Sequence, residues 1–131
     1  MLLPWGWGYD KPDNIDDLYR LVGSVLTTFL LIIQIYSRVA EAGNNALYAV
    51  HQKTYKVGCI PCMLYVASGG SLDWTLGELG IPYSYGMELR DTGEHGFLLP
   101  PEQIIPTGKE VWAFHKAVAR EMIKKYGARY Y

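Results

Sequence analysis

A run that reads as a β-strand and ends in a carboxylate is the feature that most constrains this chain. Within residues 83–100, tyrosines alternate with small residues, Glu88 follows, and a glycine-rich loop comes next. Alternation with a period of two predicts a strand, and glycine predicts the turns that end it. We therefore predict that residues 82–89 form a strand whose last part, residues 87–89, is central and buried. Glu88 would then lie where a sheet meets a loop.

Composition limits the architecture and the partners. The 131 residues are half hydrophobic, which predicts at most one globular folding unit with a modest core. Twelve Lys and Arg against thirteen Asp and Glu leave a net charge near zero, so we do not expect a nucleic-acid partner. Eleven tyrosines and four tryptophans favour a packed sheet with an aromatic-lined cleft.

The first third of the chain predicts a helix and contains an unusual apolar run. Asn14 is a candidate N-cap, and a helix through Leu18 and Val22 follows it. Residues 21–37 carry no charge and are rich in branched aliphatic side chains. A membrane span needs roughly 20 predominantly apolar residues, whereas this run contains Gly, Ser, Thr and Gln. We therefore do not expect a membrane partner. After this run, residues 39–47 again predict a helix.

The remaining segments predict a strand, two helices and a helix start. Residues 62–66 read as a strand, and residues 73–79 read as a short helix. Thr107 and Glu110 have capping-box spacing after a proline. The closing amphipathic helix, which we expect to pack on the sheet, has an apolar face formed by Val111, Phe114, Val118 and Met122.

The segment Cys59-Ile-Pro-Cys62 has several interpretations. Such spacing is typical of a redox dithiol or of half a zinc site. A redox dithiol opens a helix after a strand, whereas these cysteines precede a predicted strand, and no second pair completes a zinc site. A local disulfide and two buried thiols are the simpler alternatives. We expect surface or helix positions for the three histidines, which lack metal-ligand spacing: His51, His95 and His115.

Two segments together resemble a known family. They are residues 64–74, with Tyr65 and a Ser-Gly-Gly-Ser run, and the Glu-Leu-Arg-Asp-Thr-Gly sequence of residues 88–93. Their order and spacing resemble the C-terminal half of the zinc metallocarboxypeptidases of the carboxypeptidase A/B type. The resemblance runs from residues 4–6 to the closing helix, with a gap at about residues 25–38.

The resemblance implies an α/β fold, the C-terminal part of the zinc carboxypeptidase fold, with a mixed β-sheet flanked by helices. Residues 1–131 would be the C-terminal portion of a catalytic domain. We interpret residues 25–38 as an insertion or a gene-model artefact within one helix, with a genuine buried or variant helix as the alternative. A transcript that contains the codons for these residues would contradict the artefact.

The resemblance also assigns roles. Zinc-dependent peptide hydrolysis needs a metal that polarises the carbonyl and a water, and a base that moves the water's proton. Glu88 matches the family's base, and Tyr65 matches the tyrosine that closes over the substrate's terminal carboxylate. The plainer alternatives are that Glu88 pairs with a cation and supports the sheet, and that Tyr65 is a core or cross-strand residue. Arg90 and Asp91 are expected to form a structural ion pair.

Other matched residues lie near the pocket for the substrate's last side chain. Leu72 matches the residue at the base of the pocket, where an aliphatic side chain implies A-type preference for apolar or aromatic C-terminal residues. Four residues match further pocket positions, and each is equally compatible with ordinary core packing: Ile60, Leu64, Gly86 and Phe97. Gly86 departs from the hydroxyl residue that many members carry.

The resemblance places the zinc ligands outside this chain. The family's His-x-x-Glu motif and its third His, like the arginines and the asparagine that stabilise the oxyanion and bind the carboxylate, would lie upstream of Met1. We therefore expect no metal ligand here, no activity without the N-terminal half, and peptide or protein C-termini as substrates. The family is largely secreted, although the residues after Met1 do not read as a signal peptide. The alternatives are a non-catalytic binding remnant and a small membrane-associated protein.

Overall fold

The computed structural model describes residues 2–3, 25–81 and 83–127. The elements, in chain order, are β1 (Leu2–Leu3), α1 (Val25–His51), β2 (Gly58–Cys59), α2 (Ile60–Met63), α3 (Ser71–Gly77), a 3-10 helix (Pro101–Gln103) and α4 (Ile104–Tyr126). The predicted cap at Asn14 and the helix through Leu18 and Val22 lie outside the described residues. The described helices include none that is long and apolar enough to cross a membrane.

The chain divides into two compact units. The first unit comprises Met1–Ser37 and Val57–Met87, and the second comprises Arg38–Lys56 and Glu88–Tyr131.

Strands are short in the described part of the chain. β1 and β2 pair in parallel, with Leu2 opposite Gly58 and Leu3 opposite Cys59. The mixed sheet expected from the resemblance is therefore represented, within the described ranges, by this two-stranded ladder. The prediction of a strand at residues 62–66 was wrong, because α2 occupies its start and a loop follows.

The predicted strand at residues 82–89 is also not formed. Gly86 makes a single isolated bridge, and residues 87–89 have no regular secondary structure. Glu88 and Leu89 are exposed, whereas the sequence predicted a central, buried position for them. A strand needs a neighbour to satisfy its backbone N–H and C=O groups. Residues 87–89 have no ladder partner among the residues that the structure describes.

The first unit has an aromatic cluster around Tyr36. The ring of Tyr36, which is 7% exposed, lies 5.8 Å from the ring of Tyr83 and 6.3 Å from that of Tyr85. The Tyr85 hydroxyl donates a hydrogen bond to the Tyr36 carbonyl at 3.2 Å, and burial raises the pKa of Tyr85 above its usual range. Tyr36 belongs to the segment that we interpret as an insertion or artefact. That interpretation stays a prediction.

The predicted apolar face of the closing helix is confirmed in the second unit. Phe114 is 3% exposed and Val118 is 8% exposed, while Lys124 and Lys125 occupy the last turn of α4. The Phe114 ring packs against Gly43 of α1. Within the described residues, this helix therefore packs on a helix where the sequence predicted a sheet.

The capping-box prediction was wrong. α4 begins at Ile104, so Thr107 lies inside the helix, where its hydroxyl donates to the Gln103 carbonyl at 2.6 Å. Glu110 is fully buried and binds partners elsewhere in the second unit. A cap at Thr107 would make residue 108 the first helical residue, whereas α4 already begins at Ile104 and the 3-10 helix precedes it.

We predict that Gly43→Ala destabilises the protein. A Cβ at residue 43 would lie 2.8 Å from Phe114 Cζ and nearer to two other ring carbons, so the ring or the helix must shift. Overpacking costs about 1–3 kcal/mol, which exceeds the gain of about 1 kcal/mol in helix propensity. Urea denaturation should give a lower midpoint for the variant.

Gly108→Ala is the matched control. Gly108 lies in α4, and a Cβ there would have no heavy atom within 4 Å. We expect it to raise the free energy of unfolding by about 0.5–1 kcal/mol. Equal stability of the two variants would contradict the close packing of Gly43 against Phe114.

Candidate active site

Glu88 is an exposed carboxylate that precedes a buried ion pair by two residues. The Arg90 Nε donates to Glu110 Oε2 at 3.1 Å, and Arg90 Nη2 makes a second, short contact with Glu110 Oε1. Glu110 is 0% exposed, and the Arg90 side chain is 14% exposed. Arg90 Nη1 also donates to Gln103 Oε1 at 3.3 Å. The bidentate pair restricts the backbone beside Glu88 and leaves the Glu88 carboxylate accessible.

His51 is a second partner of the buried Glu110 carboxylate. Its Nδ1 lies 2.8 Å from Glu110 Oε1, and its side chain is 38% exposed at the end of α1. Glu110 thus joins three parts of the second unit: α4, the end of α1, and the segment that carries Arg90.

The chain after α1 is held beside this ion pair. Asn44 and Tyr55 exchange two hydrogen bonds, of 2.8 Å from Asn44 Nδ2 to the Tyr55 carbonyl and 3.0 Å from the Tyr55 amide to Asn44 Oδ1. The Tyr55 hydroxyl is buried near the Arg90 backbone. Burial raises the pKa of Tyr55, and the negative charge of Glu110 adds to this effect.

Asp91 organises the loop that follows. Its Oδ1 accepts from the Gly93 amide at 2.6 Å, and its Oδ2 accepts from the His95 amide at 3.1 Å and lies 2.6 Å from His95 Nδ1. The hydrogen bond from His95, followed by that from Gly93, lowers the pKa of Asp91. The predicted Arg90–Asp91 ion pair was therefore wrong, because each residue has another partner. The peptide bond between Arg90 and Asp91 is cis.

The zinc of the resembled family has no fitting ligand set among the described residues. Asp91, Glu94 and His95 offer ligand atoms within 4.8 Å of one another. However, both oxygens of Asp91 already accept hydrogen bonds from the loop, and His95 Nδ1 is used for one of them. This exposed loop of two carboxylates and one imidazole also differs from the expected His-x-x-Glu motif with a third His. We therefore derive no step through a metal held here.

The predicted histidine positions agree with the structure. His51, His95 and His115 are all exposed. His115 lies on α4, where its Nδ1 is 2.8 Å from the Val111 carbonyl.

Most of the predicted substrate-binding residues lie in the first unit. Ile60 is buried in α2, and Leu64 follows it with 49% exposure. Tyr65 is 70% exposed in the loop between α2 and α3. Leu72 is half-buried in α3, whose position confirms the predicted short helix, and Gly86 is half-buried at its isolated bridge.

Two predicted residues lie in the second unit instead. These are Glu88 and Phe97, and Phe97 is fully exposed in the loop that Asp91 organises. An open depression of about 590 Å³ in the first unit is lined by Ser68, Gly69, Gly70, Ser71, Asp73 and Trp74. None of the predicted substrate-binding residues lines it, so the roles that the resemblance implies stay predictions.

Cys59 and Cys62 form a disulfide with their Cα atoms 5.2 Å apart. The local-disulfide alternative is confirmed, and neither sulfur is available as half of a zinc site. Cys59 ends β2, and α2 begins at the next residue. Our reason for setting a redox pair aside was therefore wrong, because Cys59 is the last residue of a strand and Cys62 lies in the helix that follows.

Sequence reasoning missed the network around Glu110. A signal was present, since Thr107, Glu110, Phe114 and Val118 recur at helical spacing, and all four are buried. A carboxylate on a buried face requires a cation or hydrogen-bond donors. The sequence contains many cations, and nothing in its local pattern indicates Arg90.

Comparison with known proteins settles the family. The model of the zinc carboxypeptidases, peptidase family M14, matches residues 1–114. The chain belongs to the zinc carboxypeptidase family. The resemblance of the two motif segments is thereby confirmed.

Its relatives include both A and B carboxypeptidases. Carboxypeptidase B of Astacus astacus is 42% identical over 118 residues, which are 90% of this chain and 33% of that protein. Carboxypeptidase A2 of Mus musculus is 39% identical over 118 residues, which are 90% of this chain and 24% of that protein. Carboxypeptidase A5 of Macaca fascicularis is 51% identical over 112 residues, which are 86% of this chain and 21% of that protein. The chain thus spans between a fifth and a third of these relatives' length.

A solved structure supports the fold. Bovine thrombin-activatable fibrinolysis inhibitor, in complex with tick carboxypeptidase inhibitor, superposes with a TM-score of 0.71 at 30% identity. The similarity covers 95% of this chain and 36% of that one. The chain therefore has part of the carboxypeptidase fold, although the described residues do not form the expected mixed sheet.

We predict that Glu110→Gln strongly destabilises the second unit. The neutral amide leaves the partly buried Arg90 guanidinium without a counter-charge, and breaking a buried pair costs about 3 kcal/mol or more. Glu102→Gln is the control, because Glu102 is exposed just before α4 and should change stability by less than about 0.5 kcal/mol. Urea unfolding midpoints measure both, and equal midpoints would contradict the role of the pair.

We predict that the Asp91 loop loses order only in strong acid. A carboxyl whose folded pKa is depressed stabilises the fold above its unfolded pKa, and this contribution is lost as pH falls through the folded value. The Gly93 amide resonance should therefore titrate with a midpoint below the ordinary Asp value of 3.8. Asp91→Asn should abolish this transition. A midpoint above 3.8 for the unmodified chain would contradict the assigned hydrogen bonds.

Proposed function

We propose that this chain is the C-terminal portion of a zinc-dependent carboxypeptidase that acts on peptide or protein C-termini. The observation that supports this proposal best is the exposed Glu88 carboxylate beside the buried Arg90–Glu110 pair. A catalytic group needs an accessible side chain on a backbone that its neighbours restrain.

Glu88 is the proposed general base. A carboxylate can remove a proton from an attacking water and later deliver it to the leaving amine. The restraint of Arg90, two residues further on, reduces the conformational freedom that Glu88 must lose in the reaction.

Tyr65 is the proposed hydrogen-bond donor to the substrate's terminal carboxylate. Its position supports this role, because it is largely exposed in a loop between two short helices. Loops of this kind close over bound substrates in many enzymes. The adjacent Ser-Gly-Gly-Ser segment includes Gly69, which has a positive φ of 76° that favours glycine.

We propose the A-type preference for apolar or aromatic C-terminal residues on the basis of Leu72. An aliphatic side chain at the base of the pocket offers no counter-charge to Lys or Arg, whereas an acidic one would form a charge-assisted hydrogen bond. By resemblance, further pocket positions are Ile60, Leu64, Gly86 and Phe97.

The metal belongs to the proposal at the level of the family. Zinc in such enzymes acts as a Lewis acid on the carbonyl and on water. We propose that its ligands, and the arginines and asparagine that bind the carboxylate and the oxyanion, lie in an N-terminal half of the polypeptide that these residues do not include. The chain alone is then inactive, and the whole protein is secreted like the family as a whole.

The test begins with the transcript, read upstream of residue 1 and across residues 25–38. The polypeptide that it encodes should hydrolyse peptides ending in Phe at least tenfold faster than peptides ending in Lys, as about 1–3 kcal/mol of pocket discrimination implies. Glu88→Gln should lower kcat by roughly 10²-fold or more, with little change in KM. Leu72→Asp should shift the preference toward Lys.

Glu78→Gln is the control, because Glu78 is an exposed carboxylate next to α3 that has no proposed role. Full activity in Glu88→Gln would refute the assignment of the base. Binding of a Phe-terminated peptide without hydrolysis would favour the non-catalytic remnant.

A further inference from the structure

We propose that the Cys59–Cys62 disulfide is a thiol–disulfide exchange site, at which a low-molecular-weight thiol forms a mixed disulfide with Cys62. Exchange at this site would regulate the pocket that binds the substrate's last side chain. The regulatory part rests on the proposed function, whereas the exchange itself does not.

The two cysteines differ in accessibility. Cys62 is exposed and Cys59 is half-buried, while Ile60 and Pro61 between them are buried. Exchange requires an attacking thiolate to reach one sulfur in line with the bond that breaks. An attacking thiol should therefore reach Cys62, with Cys59 as the leaving sulfur.

The bond is poorly suited to stabilising the fold as a whole. A disulfide stabilises by restricting the unfolded chain, and that effect grows with the number of residues in the loop that it closes. Here the sequence separation is three, so the loop is near the minimum. Exposed disulfides that contribute little to stability are reduced more readily than buried ones.

Locally, however, the disulfide restrains a weak element. α2 has four residues, which is far too short for a helix that is stable by itself. The Leu64 amide donates a hydrogen bond to the Ile60 carbonyl at 2.9 Å, which closes this turn. Met63 packs on Gly58, where a Cβ would lie 2.8 Å from Met63 Cγ. The disulfide thus holds the two ends of this short turn together covalently.

The exchange balances without any further reagent. A thiolate attacks the Cys62 sulfur, the Cys59–Cys62 bond breaks, and its electron pair leaves with the Cys59 sulfur, which takes up a proton. A second thiolate then attacks the reagent's sulfur in the mixed disulfide, and releases Cys62 as a thiol. The protein gains two electrons, and two reagent thiols become one disulfide.

Reduction would act on the proposed pocket because of where the turn lies. Ile60 is inside the disulfide loop, and Leu64 and Tyr65 lie two and three residues after Cys62. All three are proposed substrate-binding residues. When the restraint is lost, the buried Ile60 and its neighbours can leave their positions, which should weaken binding of apolar C-terminal residues.

The experiment treats the full chain with reduced glutathione under anaerobic conditions. Acid quenching, alkylation of free thiols and mass spectrometry then give the reduced fraction with time. We expect the folded chain to be reduced within about tenfold of the rate of the urea-unfolded chain, because the attacked sulfur is accessible. Protection of more than about a hundredfold in the folded chain would overturn the proposal and leave a structural disulfide.

Two single variants identify the attacked sulfur. Cys59→Ser retains Cys62, and Cys62→Ser retains Cys59, so each offers one thiol to oxidised glutathione. We expect the Cys62 thiol to form the adduct at least about tenfold faster, because it is the more exposed. Equal rates in two variants with the same circular dichroism spectrum, or a faster Cys59, would overturn the assignment to Cys62.

Hydrogen exchange tests the regulatory part without any enzyme assay. On reduction the Leu64 amide should lose protection, whereas the amides of Phe114 and Val118 in α4 should keep theirs. Rapid reduction with an unchanged Leu64 amide would overturn regulation and leave exchange standing. The polypeptide encoded by the full transcript separates the two proposals. If it exchanges thiols but hydrolyses no peptide, the proposed function alone is overturned. If it hydrolyses peptides but its disulfide resists reduction by glutathione, this inference alone is overturned.

Discussion

The fully buried carboxylate of Glu110 is the constraint on which the second unit depends. Removing a carboxylate from water is costly unless a cation and hydrogen bonds compensate, and Arg90 and His51 supply both here. Because Arg90 lies twenty residues before Glu110 and His51 lies fifty-nine before it, one side chain joins segments that are distant in sequence. The packing of Phe114 in α4 against Gly43 in α1 joins these two helices through apolar contact.

This arrangement explains how exposed side chains can be held on irregular backbone. Glu88 lacks the hydrogen bonds of a strand ladder among the described residues, yet Arg90 restrains the chain beside it. Asp91 then organises the next loop through the amides of Gly93 and His95. Paired polar side chains here take the place that ladder bonds have in a sheet, and they leave the carboxylate of Glu88 accessible.

The first unit uses different restraints. Tyr36 is the centre of an aromatic cluster, while a disulfide and a two-residue parallel ladder restrain the chain near Ile60. The proposed lid residue Tyr65 and the proposed pocket residue Leu64 follow this turn in the chain. Under our proposals, a covalent bond that can be made and broken next to the substrate pocket would offer a means of control that packed side chains do not.

Local pattern was sufficient for the features that depend on neighbours in sequence. It predicted the buried face of α4 through Phe114 and Val118 and the short helix that became α3. The zinc carboxypeptidase family was indicated separately, by the resemblance of two motif segments. It failed for residues 62–66 and 82–89, for the cap at Thr107 and for the partners of Arg90. Strand formation and the pairing of a buried charge depend on groups brought together from far along the chain. Periodicity reports which face of an element is apolar, whereas only the tertiary structure decides what that face meets.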